Sequence, residues 1–170
     1  MIHTIALTFL EGLTQNKVLT LLQHTHSAQL IFEQPEVALA DFTPSFQLEV
    51  QQALRKNGAK ALKKAQEEWD FCQAHGIRPT VITASDYPQR LKECPDAPPL
   101  IYYRGSADWN VKHVLSVVGT RRITPYGKDL CRMFCSELAS LLPHTLVVSG
   151  LAYGVDIHTH RAYVERQLPT

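Results

Sequence analysis

A chain of 170 residues with 45% apolar and 19% charged side chains has an ordinary globular composition, with length enough for one good core or two small ones. The net charge of +1 excludes a global pull toward nucleic acid or membrane, so any anion site must be built locally. Cys72, Cys94, Cys131 and Cys135 form no CxxC pair or disulfide framework, and no signal peptide or membrane-length apolar run is present, so a cytoplasmic protein with reduced thiols is expected.

Residues 1 to about 75 read as helical throughout, in short pieces. Ile5, Leu7, Phe9 and Leu10 lead into Gly12, and a second piece starts from a Thr14 cap with Val18, Leu19, Leu21 and Leu22. A third runs from Ser27 through Leu30, Ile31 and Phe32. Pro35 and Pro44 open further pieces, because proline suits a first helical turn and breaks an interior. The turn Leu10-Glu11-Gly12-Leu13-Thr14 is similar to a helix-hairpin-helix turn, whose amides can cap a phosphate. Thr14 stands where that turn normally has a second glycine, which favours a plain bundle connection.

A long helix is expected from about Gly58 to His75, with Lys60, Lys63 and Lys64 near its start and Glu67, Glu68 and Asp70 later. That order opposes the helix dipole and reads as a solvated face. Trp69, on the stripe with Leu62, Ala65 and Cys72, reads as a core anchor, and Gly76 ends the helix. From Thr80 the pattern turns to short β-type runs, Thr80–Thr83 and Leu100–Gly105. A short helix after Tyr87-Pro88 and a proline-rich turn lie between them. The domain boundary is therefore drawn at residues 75 to 79, giving a helical domain 1–75 and a second domain 76–170.

Within the second domain, Val114–Val118 ends in Gly119-Thr120-Arg121-Arg122. A helical pattern opens at Pro125 with Leu130, Phe134, Leu138 and Leu141 on one stripe, and Leu146–Val148 ends in Ser149-Gly150. This is a βαβ unit. Its parallel strands place both glycine-bearing loops at one edge of the sheet, where open α/β sheets bind ligands. Asp156 is expected to cap a last helix through His158, Arg161 and Val164. Two βα units leave a sheet face uncovered, so the chain reads as the N-terminal part of something longer.

Neither loop is a dinucleotide or Walker A site. Gly119 is followed by Thr-Arg-Arg rather than spaced glycines, and Gly127-Lys128 is followed by Asp129. A looser phosphate cradle remains. Gly119 allows close backbone approach, Thr120 offers a hydroxyl, and Arg121 presents a planar cationic fork. The helix opened by Pro125 and Tyr126 adds its positive end, while Ser149, Gly150 and the amides up to Gly154 offer a second nest. The surroundings are basic, with Arg104, Lys112, Arg121, Arg122, Lys128 and Arg132 against Asp108 and Asp129. Arg122 and Lys128 are candidate secondary contacts. Asp156, His158 and His160 invite a metal reading, but on a helix His158 leaves the face shared by the other two, and a buried, hydrogen-bonded histidine is favoured. No cofactor, metal or catalytic constellation is expected.

Four motifs stand in order: Tyr87-Pro88 with Leu91; Pro98-Pro99 leading to Tyr102 and Gly105; Val118-Gly119-Thr120-Arg121 with Tyr126-Gly127; and Ser149-Gly150-Leu151-Ala152-x-Gly154-Val155-Asp156 with His160. On these residues the chain resembles the DNA-processing protein A (DprA/Smf) family over about residues 76–167, and more loosely that family's helical SAM-like front domain. The resemblance implies an α/β fold in which a small all-helical SAM or helix-hairpin-helix-like domain precedes a Rossmann-like parallel sheet, here truncated after about two βα units. It implies single-stranded DNA binding and loading of RecA recombinase in natural transformation, by a non-catalytic protein that is a homodimer at full length. Arg121 matches the family's phosphate-contacting arginine, and Gly119, Thr120, Ser149, Gly150 and Gly154 match its glycine-rich pocket. Tyr153 stands where many members have arginine, which removes one cation and offers a ring that can stack on a base or sugar.

Two other readings compete. An enzyme on nucleoside monophosphates, of the lysine-decarboxylase-like phosphoribohydrolase kind, shares the first Gly-Ser/Thr-Arg loop, although its Pro-Gly-Gly-x-Gly-Thr motif does not occur in this chain. The other is a purely structural or interaction role for the helical front end.

Overall fold

The computed structural model describes residues 1–25 and 27–170, and the chain divides into two compact units, Met1–Arg104 and Gly105–Thr170. In the first unit, α1 (Ile2–Thr8), α2 (Gln15–Thr25), α3 (Ala28–Glu33) and α4 (Pro35–Ala38) share one core with α5 (Pro44–His75). Ile5, Leu7, Leu21, Ile31, Leu39 and Val50 are fully buried in it, each contributing about 1.5–3 kcal/mol of transfer free energy. The helix starts follow local chemistry. The Ser27 hydroxyl accepts from the Leu30 amide at 3.3 Å, the Thr43 hydroxyl from Phe46 at 3.4 Å, and Pro35 and Pro44 occupy first turns. Gly76, with φ of 63°, terminates α5, and the Ile77 amide closes the end on the Cys72 carbonyl at 2.9 Å.

The expected helix beginning near Gly58 is the second part of α5, which runs on from Pro44 across one non-helical residue, Asn57 (φ −145°, ψ 15°). Lys60, Lys63 and Lys64 therefore lie in mid-helix and not at its start, and Lys64 Nζ sits 4.0 Å above the Phe9 ring. Trp69 packs half-buried against the core.

After Gly76, β1 (Arg78–Val81) pairs antiparallel with β2 (Leu100–Tyr103), Arg78 opposite Tyr103. Between them α6 (Gln89–Lys92) follows a loop anchored by Tyr87, which is fully buried and donates its hydroxyl to the Pro98 carbonyl at 2.7 Å. The Pro99 carbonyl accepts from the Ile82 amide at 3.0 Å. The boundary drawn at residues 75 to 79 marks the change from helix to strand. Compactness instead keeps the antiparallel β1–β2 pair with the helical unit, up to Arg104.

The second unit runs β3 (Val114–Ser116), α7 (Pro125–Leu141), β4 (Leu146–Val148) and α8 (Val155–Val164). β3 and β4 are parallel, with Val114 opposite Leu146 and Ser116 opposite Val148. The fold is α/β, a helical part followed in sequence by a parallel β–α–β–α unit of Rossmann-like type. Cys135, Val147, Ala162 and Tyr163 form its small core with Val117, Leu138 and Leu168. The last residues flank β4, where the Pro169 carbonyl accepts from the Val147 amide at 3.2 Å. The stripe expected to be buried on α7 is only partly so. Cys135 and Leu138 face the core, while Leu130, Phe134 and Leu141 stay exposed. Leu130 and Phe134 instead line an apolar hollow of about 440 Å³ beside Leu115, Val117 and Val118. No helix among the described residues is long and apolar enough to cross a membrane.

Candidate nucleic-acid interface

Parallel pairing of β3 and β4 brings the loops after both strands to one edge, and glycine lets them interlock. Gly154, the N-cap of α8 with φ of 90°, lies against the backbone of Thr120 and Arg121. A Cβ there would overlap the Thr120 carbonyl oxygen and come 2.8 Å from the Arg121 Cα. Reciprocally, a Cβ on Gly119 would come 2.6 Å from a Val155 methyl. The Val155 amide, in the first turn of α8, donates to the Thr120 carbonyl at 3.1 Å. That carbonyl takes up part of the positive end of α8.

Arg121 projects from this junction, exposed, and among the described residues its guanidinium makes no hydrogen bond or ion pair. It lines a hollow of about 580 Å³ with Gly150, Leu151, Ala152, Tyr153 and Ile157. The Thr120 hydroxyl oxygen accepts from the Arg122 amide at 3.1 Å, which leaves its own proton to donate. Thr124 caps α7 by accepting from Gly127 at 3.1 Å, and Tyr126 and Tyr153 stand 75% and 84% exposed, so both rings are open to stacking. Arg122 is exposed and Lys128 half-buried on the α7 side, while Arg132 is paired with Asp129 at 2.9 Å.

The second nest is smaller than the sequence suggests. The Leu151 amide donates to Ser149 Oγ at 2.9 Å and the Ala152 amide to Asp156 Oδ2 at 3.3 Å, so two of its amides are engaged within the loop. Asp156 is correspondingly not the helix cap. Gly154 holds that position, and Asp156 lies buried in the first turn, reaching back under the loop. Leu151 takes a φ of 53°, a left-handed conformation rare for a branched side chain.

Ser149 also contacts His160 Nε2 at 2.5 Å, and His160 Nδ1 meets the Thr170 hydroxyl, which donates to the Val147 carbonyl at 3.1 Å. Since Thr170 spends its proton on Val147, it accepts from Nδ1–H, and Nε2 accepts from Ser149. Burial pushes the His160 pKa down, opposed by Asp156. His158 is pushed down by burial and then by Lys128, Arg161 and Arg132, which registers the basic field around α8. Among the described residues no cluster of His, Cys, Asp or Glu could hold a metal ion. Spacing alone gave no sign of two participants, Ile157 in the hollow and Thr170 behind His160.

Residues 78–170 match the model of the family described as DNA recombination-mediator protein A. The chain belongs to that family. It is 32% identical over 91 residues to DNA processing protein DprA of Bacillus subtilis, covering 53% of this chain and 30% of that protein. It is 35% identical over 99 residues to protein Smf of Synechocystis, covering 54% of this chain and 24% of that one. The matched part is thus about a third or less of these relatives' length. The X-ray structure of DNA processing protein A from Streptococcus pneumoniae superposes with a TM-score of 0.64 at 23% identity, over 98% of this chain and 55% of that one, which is a likeness of fold. The family segment takes in the Tyr87 anchor, the Pro98-Pro99 turn and both interlocked loops.

Proposed function

We propose that this chain is a non-catalytic single-stranded DNA binder that grips backbone phosphates at the edge made by Gly119, Thr120, Arg121, Tyr126, Ser149, Gly150, Tyr153 and Gly154. Arg122 and Lys128 add outer charge. The observation that carries this reading is Arg121, a guanidinium unpaired among the described residues, lining a hollow with Gly150, Leu151, Ala152, the exposed Tyr153 and Ile157. Such a fork suits phosphate oxygens, and contacts to phosphate carry no base information, so the expected binding is indifferent to sequence. The recombination-mediator description of the family and the DNA-processing names of its relatives support the DNA part. Delivery of the strand to RecA recombinase, homodimerisation at full length and a cytoplasmic location belong to the same proposal.

The test is fluorescence anisotropy with labelled oligo-dT across a salt series. The expected result is a linear fall of log affinity with log salt, the signature of phosphate neutralisation. Absence of binding together with hydrolysis of AMP would put the phosphoribohydrolase reading in its place.

A further inference from the structure

Resting on that reading, we propose that His160 is a positioning residue for Ser149, and that seating a phosphate on the Ser149–Gly150 loop draws a proton onto its imidazole. The relay fixes the direction of every bond. Thr170 gives its proton to the Val147 carbonyl, so His160 carries hydrogen on Nδ1, and Nε2 takes the Ser149 proton. Ser149 Oγ at the same time accepts the Leu151 amide. In this state the Ser149 hydroxyl points inward and offers nothing to an anion.

Protonation of Nε2 reverses one bond and disturbs no other. Nε2–H then donates to Ser149 Oγ, the Leu151 amide still donates to it, and the Thr170 bond is unchanged. Both Ser149 lone pairs are filled and its proton is freed for another acceptor, next in sequence to Gly150, which lines the hollow. One added positive charge lies behind it. A phosphate oxygen is therefore held better by the protonated form, and by linkage the phosphate must raise the affinity of His160 for its proton.

The groups facing His160 are few. Asp156, on its own helix, is the one charged side chain among the described residues that acts on it, and it favours the imidazolium. The Ser149 and Thr170 hydroxyls are neutral. From α7, the Cys135 thiol faces the Thr159 carbonyl at 3.9 Å and is held protonated by burial. Burial opposes the charge, and a bound phosphate adds its negative charge to the support that Asp156 already gives.

The experiment is a nitrogen-detected NMR titration of the histidines in the whole chain, with and without saturating oligo-dT, alongside anisotropy from pH 8 to pH 6. Expected are an Nδ1–H tautomer for His160 at pH 8 and a titration midpoint that rises on adding oligo-dT. Affinity should climb with acidity at a slope approaching tenfold per pH unit at its steepest, as a one-proton linkage requires. His160→Gln, which keeps an acceptor for Ser149, should flatten that slope, and His158→Gln should leave it. An Nε2–H tautomer, or a midpoint unmoved while anisotropy reports binding, overturns the proposal alone. No binding at any pH overturns it together with the DNA reading.

Discussion

The side-chain amide of Asn57 clasps the turn at Glu11. Its Oδ1 accepts the Glu11 amide at 3.2 Å and its Nδ2 donates to the neighbouring Phe9 carbonyl at 2.9 Å. The kink in α5 and the turn after α1 are one construction, because Asn57 leaves helical geometry where it serves both groups. The Glu11 amide, one of those a helix-hairpin-helix turn would offer to phosphate, is already engaged. Asn57→Leu should lower the stability of the first unit by about 0.5–2 kcal/mol, the cost of losing one exposed and one part-buried hydrogen bond. Urea denaturation followed by circular dichroism measures it, and an unchanged midpoint would mean that the clasp holds nothing.

Glycines at the candidate site should differ sharply in what they tolerate. Gly154→Ala meets both a positive φ and the backbone of Thr120 and Arg121, and should destabilise the second unit by at least about 2 kcal/mol. Gly150→Ala would place its Cβ 3.6 Å from Asp156 Oδ2, ordinary contact, and should stay within about 0.5 kcal/mol. Equal melting temperatures for the two variants would refute the interlock.

Charge removal at the rim should separate free from paired cations. Arg121→Ala should weaken oligo-dT binding for all sequences alike and reduce the salt slope by about one. Arg132→Ala, which removes a cation already paired with Asp129, should change the slope far less. Anisotropy over the same salt series reads both.

Acid should loosen the second unit before carboxylates titrate. Burial holds His158 and His160 below the usual imidazole value of 6.5. The folded unit therefore binds fewer protons than the unfolded chain near that pH, so its stability is full above 6.5 and falls as pH drops through 6.5 toward the lower folded values. Urea midpoints at pH 8, 6.5 and 5.5, read from Trp109 in a Trp69→Phe background, should show this decline, and His160→Gln should lessen it.

Thiol chemistry should sort the cysteines by depth. Cys72 and Cys135 are buried and their pKa values raised, first by that burial and then by Glu68 and Cys131 respectively. Cys94 is exposed. Brief iodoacetamide treatment followed by peptide mass spectrometry should label Cys94 well ahead of the buried pair.

What could be read from the sequence is what local rules decide. The β3–α7–β4 order, the Gly76 stop and the meeting of the loops at one edge follow from periodicity, glycine preference and parallel pairing. Where side chains act across the chain, local rules fail. Asp156 has the type and place of a cap, yet it serves the Ala152 amide because Gly154 must stay bare against Thr120. The same engagement removes amides that sequence alone would assign to the anion. The run through Asn57 reads as two helices because its partners, Phe9 and Glu11, are remote in sequence. β1 begins two residues before its β-type run, set by its pairing with β2.

The contact between positions 119 and 155 constrains the order in which substitutions can accumulate. A Cβ at 119 would come 2.7 Å from the Val155 Cβ as well as striking its methyl, so trimming valine to alanine would not make room for it. Only glycine at 155 would, and glycine in the first turn of α8 weakens that helix. A lineage leaving Gly119 must first pass through a weakened intermediate at 155, so the two sites form an evolutionary ratchet that holds the loop at glycine whatever it comes to bind.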